Sequence, residues 1–378
     1  MPPDNQPPQR IESLDQFRGY TVAGMFLVNF IGAYAATPAL LKHHNTYCSY
    51  ADTIMPQFLF AVGFAYRLTM LRRLAAGDGR SAFLVALKRN LGLILLGFVI
   101  YHLDVATRAW AELSALGVGG FLKNAFQRTL FQALVHIGVT SLWVMPVIAR
   151  GAGVRIAFAI ASAAAFHLLS QAGYYDFAMG RPVIDGGPLG FLTWTIPLIA
   201  GSLAHDAMMA APDRKPITPL LKWGAALMLL GYVLACLNLQ APPADVTIGP
   251  KLAEGAVVSG VLVEPPFVPP TRPINIWTMS QRAGSVSYLV FGAGFSLVVF
   301  AAFVWACDPR GWRLAVFTTF GTNALAGYII HDLVAGAIKP WTPRDAPGWF
   351  VFLALSLFML LCWLFVRALE KNRIYLRM

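Results

Sequence analysis

Charge is what this sequence has least of. Only 12% of its 378 residues are Asp, Glu, Lys or Arg, while 57% are hydrophobic and the mean hydropathy is +0.60. An ordinary soluble domain carries about twice that charged share. The chain therefore cannot cover itself with polar surface, which excludes the two or three soluble domains its length alone suggests. Also lacking are the short alternating segments of a β-barrel; the apolar runs here are continuous and about twenty residues long. Cysteine is scarce, and Cys48, Cys236, Cys307 and Cys362 show no CxxC or zinc spacing. That excludes a disulfide framework, and no metal site is expected. No GxSxG, HExxH or P-loop motif occurs, and the glycines of VFGAGFSL lie within an apolar run, where they pack helices. The start, MPPDNQPPQRIESLDQ, has no apolar core and does not read as a signal peptide. Arginines interleaved with aromatics are missing too, so nucleic acid is not an expected partner.

What is present reads as an all-α fold, a polytopic transmembrane helical bundle in a lipid bilayer. About ten spans are expected, near 20–37, 53–71, 84–102, 129–149, 154–172, 188–206, 219–239, 285–306, 313–335 and 347–367. Residues 1–19 form a short tail and 20–378 a single transmembrane domain, with a Pro-rich extracytoplasmic loop at about 240–285. The basic residues gather beside the termini: Arg10 and Arg18, Arg67 to Arg89, Arg150 and Arg155, Arg214 to Lys222, Arg310 and Arg313, and Arg367 to Arg377. The positive-inside rule makes both termini cytoplasmic; in a bacterium the membrane is the inner one. The formal charge of +11 belongs to that side. Membrane insertion alone accounts for it, yet a positive inner face also favours a polyphosphate ligand arriving from the cytosol.

The histidines distribute in the opposite sense. His43, His44, His102, His167 and His331 fall at outer span ends, His136 in an outer half, and His205 alone at an inner end. Several together point to a polar cavity opening outward. The loop KHHNTYCSYAD carries His43, His44, Cys48 and Asp52 between two apolar helices. A neutral imidazole at such a boundary suits a general base or an acyl-accepting nucleophile. Asp52 is placed either to hold a ring N–H or to cap the following helix. Asn29, in the first helix, brings an amide that needs partners in a dry setting. The span near 313–335 is polar for a lipid-facing helix, and its Asn323, Tyr328, His331 and Asp332 are candidate substrate-lining groups. On the inner side Arg18, which also suits snorkelling, and Lys88 and Arg89 are candidates to hold phosphate. From these residues alone a transferase and a proton-coupled transporter of a sugar or other polar solute stand level.

SLDQFRGYTVAGMFLVNF resembles the first conserved span of the heparan-alpha-glucosaminide N-acetyltransferase family. KHHNTYCSYADTIMPQFLFAVGFA is similar to that family's next loop and helix, and FGTNALAGYIIHDL to a later span. Asn45, Thr46 and Tyr47 stand where the animal enzyme has Trp-Asn-Gly, and ALVHIGVT stands where the family has Leu-Gln-Arg before Ile-Gly-Val. The resemblance implies an acyltransferase that moves an acetyl group from cytosolic acetyl-CoA to an extracytoplasmic sugar or glycan amine or hydroxyl. It implies His43 as the active-site histidine, with His44 the alternative, Asn29 as the nearby asparagine and Asp52 as the loop aspartate. Acyl-CoA and a sugar or glycan acceptor are the implied partners; a homodimer is left open.

Overall fold

The computed structural model describes residues 11–101, 107, 109–127, 131–180, 185–211, 215–240 and 262–376. His102, Arg10, Arg214, Arg377 and most of the Pro-rich loop lie outside the described residues. Within them the chain is all-α, with no strand. The helices are α1 Glu12–Ile31, α2 Ile54–Ala75, α3 Gly79–Tyr101, α4 Trp110–Gln127, α5 Ala133–Val144, α6 Ala152–Leu169, α7 Tyr175–Gly180, α8 Phe191–Ala210, α9 Ile217–Cys236, α10 Val286–Cys307, α11 Ala315–Thr322, α12 Ala324–Ile338 and α13 Gly348–Lys371.

Seven stretches are long and apolar enough to cross a membrane: Ala51–Ala75, Gly79–Ile100, Ala152–Gly180, Gly187–Ala210, Ile217–Leu239, Val286–Cys307 and Gly348–Lys371. The other three expected spans look different. The one near 20–37 begins earlier, among the charged residues of α1, and the one near 129–149 is the short α5. The one near 313–335 is broken at Asn323, whose backbone leaves the helical region (φ −131°, ψ 49°). The break has a partner: Asn323 Nδ2 donates to Ile374 O (3.0 Å) and its Oδ1 accepts Leu376 N–H (3.1 Å). An asparagine amide bonds such extended backbone readily, in competition with helix continuation. Helix α4 lies in a stretch where no span is expected.

The described chain forms two compact units. The first holds 11–37, 210–221 and 298–376; the second holds 38–209 and 222–297, less the residues not described. In the first, α1 and α11 cross at Gly19 and Gly321, which face Phe317 and Asp15 backbone. Gln16 ties them by donating to Thr318 Oγ1 (2.7 Å) and accepting Leu314 N–H (3.0 Å). Phe26, Phe320 and Phe358 fill the space beside them.

In the second unit α2 and α8 cross where Gly63 meets the Leu198 carbonyl and Gly201 meets the Phe60 carbonyl. Small residues let membrane helices approach to backbone contact. Phe64 packs on His205 and Arg67 bonds Asp206 at one end, while Asp52 and Trp194 both contact Tyr288 towards the other, so the two helices run parallel. Helix α10 runs the same way: Tyr288 bonds Asp52 and Gly292 packs on Pro56, a constant offset along both chains. The N-terminal ends of α2, α8 and α10 thus gather at one end of this unit. At the opposite end Arg67 donates to Asp206 (3.0 and 3.2 Å), Arg155 pairs with the same carboxylate, and Arg67 also caps the Ile148 carbonyl (2.8 Å). These three helices are mostly buried, whereas α3, α6 and α9 expose rows such as Leu91, Leu95 and Val99 or Val154, Ile160 and Leu168. Apolar faces of that extent fit lipid rather than water.

The crossing yields a prediction. Gly63→Ala or Gly201→Ala forces backbone apart and is expected to lower stability by about 1–3 kcal/mol. Gly153→Ala in α6, with open space around it, is expected to leave the melting temperature of the detergent-solubilised protein unchanged or slightly higher.

Candidate functional site

The loop from Pro38 to Tyr50 is folded by its own polar groups. Ser49 Oγ donates to Lys42 O (2.7 Å), and Ser280 Oγ donates to Asn45 O (2.6 Å). This closure brings His43 over the start of α2. His43 Nδ1–H donates to Asp52 Oδ1 (2.9 Å), while Asp52 Oδ2 accepts the Ser49 N–H (2.8 Å). Asp52 is fully buried, its carboxylate held by two donors beside the N-terminus of α2, where the helix dipole favours negative charge. Tyr288 donates its hydroxyl to the Asp52 carbonyl (2.6 Å) and fixes the same residue from α10. With Nδ1 protonated and bonded to a carboxylate, Nε2 is the basic atom of the ring. The His43 side chain is 35% exposed, so the pair is buried on one side and open on the other.

Two further groups come from distant sequence. Asp185, immediately before α8's leading turn, is buried and holds a left-handed backbone (φ 76°). Gln281, in the segment before α10, donates Nε2–H to Asp185 Oδ1 (2.8 Å), while its Oε1 is buried with no hydrogen-bond partner among the described residues. Burial works against protonating His43, but the Asp52 hydrogen bond and charge, with Asp185 and Gln281, outweigh it; the imidazole sits above its usual value. Burial pushes the Asp185 carboxyl up to about 6, against the pull of Gln281 and His43. Neither residue belongs to a motif, and the only local hint at Asp185 is the IDGGPLG turn ahead of an apolar run.

His44 takes a different part. Its Nε2–H donates to Ala39 O (2.8 Å), and its ring stacks on Tyr47 at 4.2 Å between centroids. Of the two loop histidines, His43 is therefore the one with a carboxylate partner. Cys48 is buried, and burial with the Asp52 charge pushes its thiol well above the usual range, so it behaves as an inert packing group. Behind the loop, Thr46, Tyr47 and Cys48 face Glu264 and Met279 across a cleft of about 40 Å³.

The remaining candidates are distributed as follows. Asn29 is exposed on α1 in the first unit, where its carbonyl accepts Lys339 Nζ (3.2 Å). On α12 His331 is buried, stacked on Phe26 (5.3 Å), with Nδ1 on the Tyr328 carbonyl and Nε2 3.3 Å from the exposed Asp332. Tyr328 is buried, and Asn323 is committed to the Ile374–Leu376 segment. Arg18 lies 3.7 Å from Asp15. Lys88 is exposed on α3, and Arg89 beside it is half-buried. Among the described residues no group of three or more His, Cys, Asp or Glu side chains is placed to hold a metal ion.

Fold and site together define an all-α integral membrane protein with a histidine–carboxylate centre where helix ends meet. Neither a scan of family models nor a search of curated proteins returns a match to the chain.

The electrostatics predict how stability depends on pH. Asp185 binds its proton more tightly folded than unfolded, so its contribution is whole below about pH 3.8 and is lost as pH rises through about 6. That of His43 is whole below 6.5 and is lost as pH climbs through its raised folded value. Thermal stability is therefore expected to fall from pH 5 to pH 8. The Asp185 share is about 3 kcal/mol at 1.36 kcal/mol per unit. Asp185→Asn is expected to raise the melting temperature at pH 8 and to flatten the acidic part of the curve.

Proposed function

We propose that this protein is a membrane-embedded acyltransferase that moves an acyl group, acetyl by the resemblance, from cytosolic acyl-CoA to an extracytoplasmic sugar or glycan amine or hydroxyl. The single observation that supports it most is His43 bonded through Nδ1 to the buried Asp52 carboxylate, with its other face accessible. Such a pair fixes one tautomer and stabilises the imidazolium that forms during proton transfer. The resemblance of SLDQFRG, KHHNTYCSYAD and FGTNALAGYIIHDL to the heparan-alpha-glucosaminide N-acetyltransferase family supports the same reaction class.

In this reading Nε2 of His43 removes a proton from the acceptor amine or hydroxyl as that atom attacks the thioester carbonyl. A C–N or C–O bond forms, the C–S bond breaks, and the imidazolium returns its proton to the departing CoA thiolate. Asp52 keeps its negative charge throughout. The resemblance implies Asn29 only as the asparagine near the active-site histidine; a preorganised amide donor of that kind would stabilise the carbonyl oxyanion by about 3–4 kcal/mol. Arg18, Lys88 and Arg89 are the basic side chains that favour the CoA phosphates on the inner face.

The test is transfer from labelled acetyl-CoA by the full chain in proteoliposomes, with glucosamine-terminated and hydroxyl-terminated sugars supplied on the extracytoplasmic side. His43→Ala is expected to lower turnover by about 10²–10⁴-fold. His44→Ala, which loses a stacking contact and a loop hydrogen bond, is expected to cost less than about tenfold. Unchanged turnover in a His43→Ala, His44→Ala double variant refutes the assignment. Solute accumulation driven by a pH gradient, with no acyl-CoA consumed, replaces it with proton-coupled transport.

A further inference from the structure

Buried hydroxyls within helices of this chain can close on their own backbone. Ser202 donates to Ile199 O (2.7 Å), Ser296 to Gly292 O (2.7 Å) and Thr21 to Phe17 O (2.8 Å). Ser141 in α5 does not: its Oγ is buried with no hydrogen-bond partner among the described residues. Asn90 in α3 is the stronger exception. It is fully buried, and neither Nδ2 nor Oδ1 makes a hydrogen bond among the described residues. The hydroxyl of Tyr66 in α2, a residue only 4% exposed, is unpartnered there as well. Burying such groups unpaired is costly, and native interiors meet them with buried water or a bound ligand.

The three come from separate helices of the second unit and stand at one level. Gly97 faces Leu134 and Val135, and Gly138 faces the Asn90 carbonyl and Ile94, so α3 and α5 run antiparallel. Ser141 lies one turn beyond Gly138 on the same side of α5, which brings it level with Asn90. Helices α2 and α3 pack together on either side of the turn at Gly77, and along them Tyr66 and Asn90 stand at nearly equal distances from it. The Asn90 amide is near enough to act on the Tyr66 hydroxyl without reaching hydrogen-bond geometry, and Arg89 acts on the same hydroxyl.

We propose that Tyr66, Asn90 and Ser141 form a binding site, inside the membrane-spanning part of the second unit, for a neutral group that both donates and accepts hydrogen bonds. The carboxamide offers a donor and an acceptor, and each hydroxyl offers either. None of the three carries charge, so the group they hold is itself uncharged, an amide or a hydroxyl. Two sources have this chemistry. One is water retained inside the protein; the other is the pantetheine arm of an acyl-CoA, whose amides would follow phosphates held by Lys88 and Arg89. Only the second source rests on the acyltransferase reading.

The experiment is hydroxyl-radical labelling by X-ray radiolysis of water, read by peptide mass spectrometry on the full chain in detergent micelles. Radicals formed from ordered interior water oxidise the side chains beside it, however deeply they are buried. Tyr288, fully buried with its hydroxyl bonded to the Asp52 carbonyl, is the internal reference. Tyr66 is expected to label several-fold faster than Tyr288, and Asn90→Leu, at similar volume, to bring it down towards the Tyr288 rate. Should Asn90→Leu fail to fold, Ser141→Ala takes its place. Added CoA that slows Tyr66 labelling, where adenosine 3′,5′-diphosphate does not, assigns the site to the pantetheine arm. Labelling indifferent to both assigns it to retained water, and either result upholds the site. Tyr66 labelled no faster than Tyr288 overturns the proposal, and in a chain that still transfers acyl groups it leaves the acyltransferase reading standing. Fast labelling of Tyr66 in a chain that consumes no acyl-CoA keeps the site and sinks that reading.

Discussion

The bond from His43 Nδ1 to Asp52 is the interaction on which the rest of the structure's chemistry depends. A carboxylate with no exposed surface is tolerable only when its oxygens are satisfied. Here one oxygen accepts the Ser49 amide and the other the imidazole. The same contact closes the histidine loop onto α2 and leaves Nε2 as the basic atom. Structure and chemistry meet in one short span of chain, where a loop residue and a helix-leading residue nine positions apart find each other.

That contact has its setting because α2, α8 and α10 run parallel. Glycine at 63 and 201 lets two of these helices touch backbone to backbone, and Gly292 on Pro56 admits the third. Parallel helices place their N-terminal ends together, and each end contributes a residue to the centre: Asp52, Asp185 and Gln281. Positive dipole ends suit the two acids. Packing by small residues in the middle of the unit thus fixes the polar geometry at its end, while the Arg67, Arg155 and Asp206 ion pairs hold the other end.

Much of this was legible in the amino-acid sequence, and what was not has a physical cause. Low charge and long apolar runs announce an all-α membrane protein, and seven helices have the length and apolarity to cross one. The loop KHHNTYCSYAD stands out because ionisable groups at a membrane boundary are costly, and the pairing of a ring N–H with Asp52 lies within reach of local reasoning. Asp185 and Gln281 do not. They are 96 positions apart and become neighbours only through the helix packing, which no local pattern encodes. The break at Asn323 was hidden similarly, since its partners at Ile374 and Leu376 lie far along the chain. Hydropathy reads through such a break because the flanking residues stay apolar.

The central claim is that the His43 imidazole meets the acyl carbon of a CoA thioester. Bromoacetyl-CoA, an electrophile that places a reactive carbon where the acetyl group would lie, tests it most directly. Peptide mass spectrometry of the membrane-reconstituted protein should find the adduct on His43, with labelling suppressed by excess CoA. Full labelling elsewhere in the chain, with His43 unmodified and indifferent to CoA, would contradict the account.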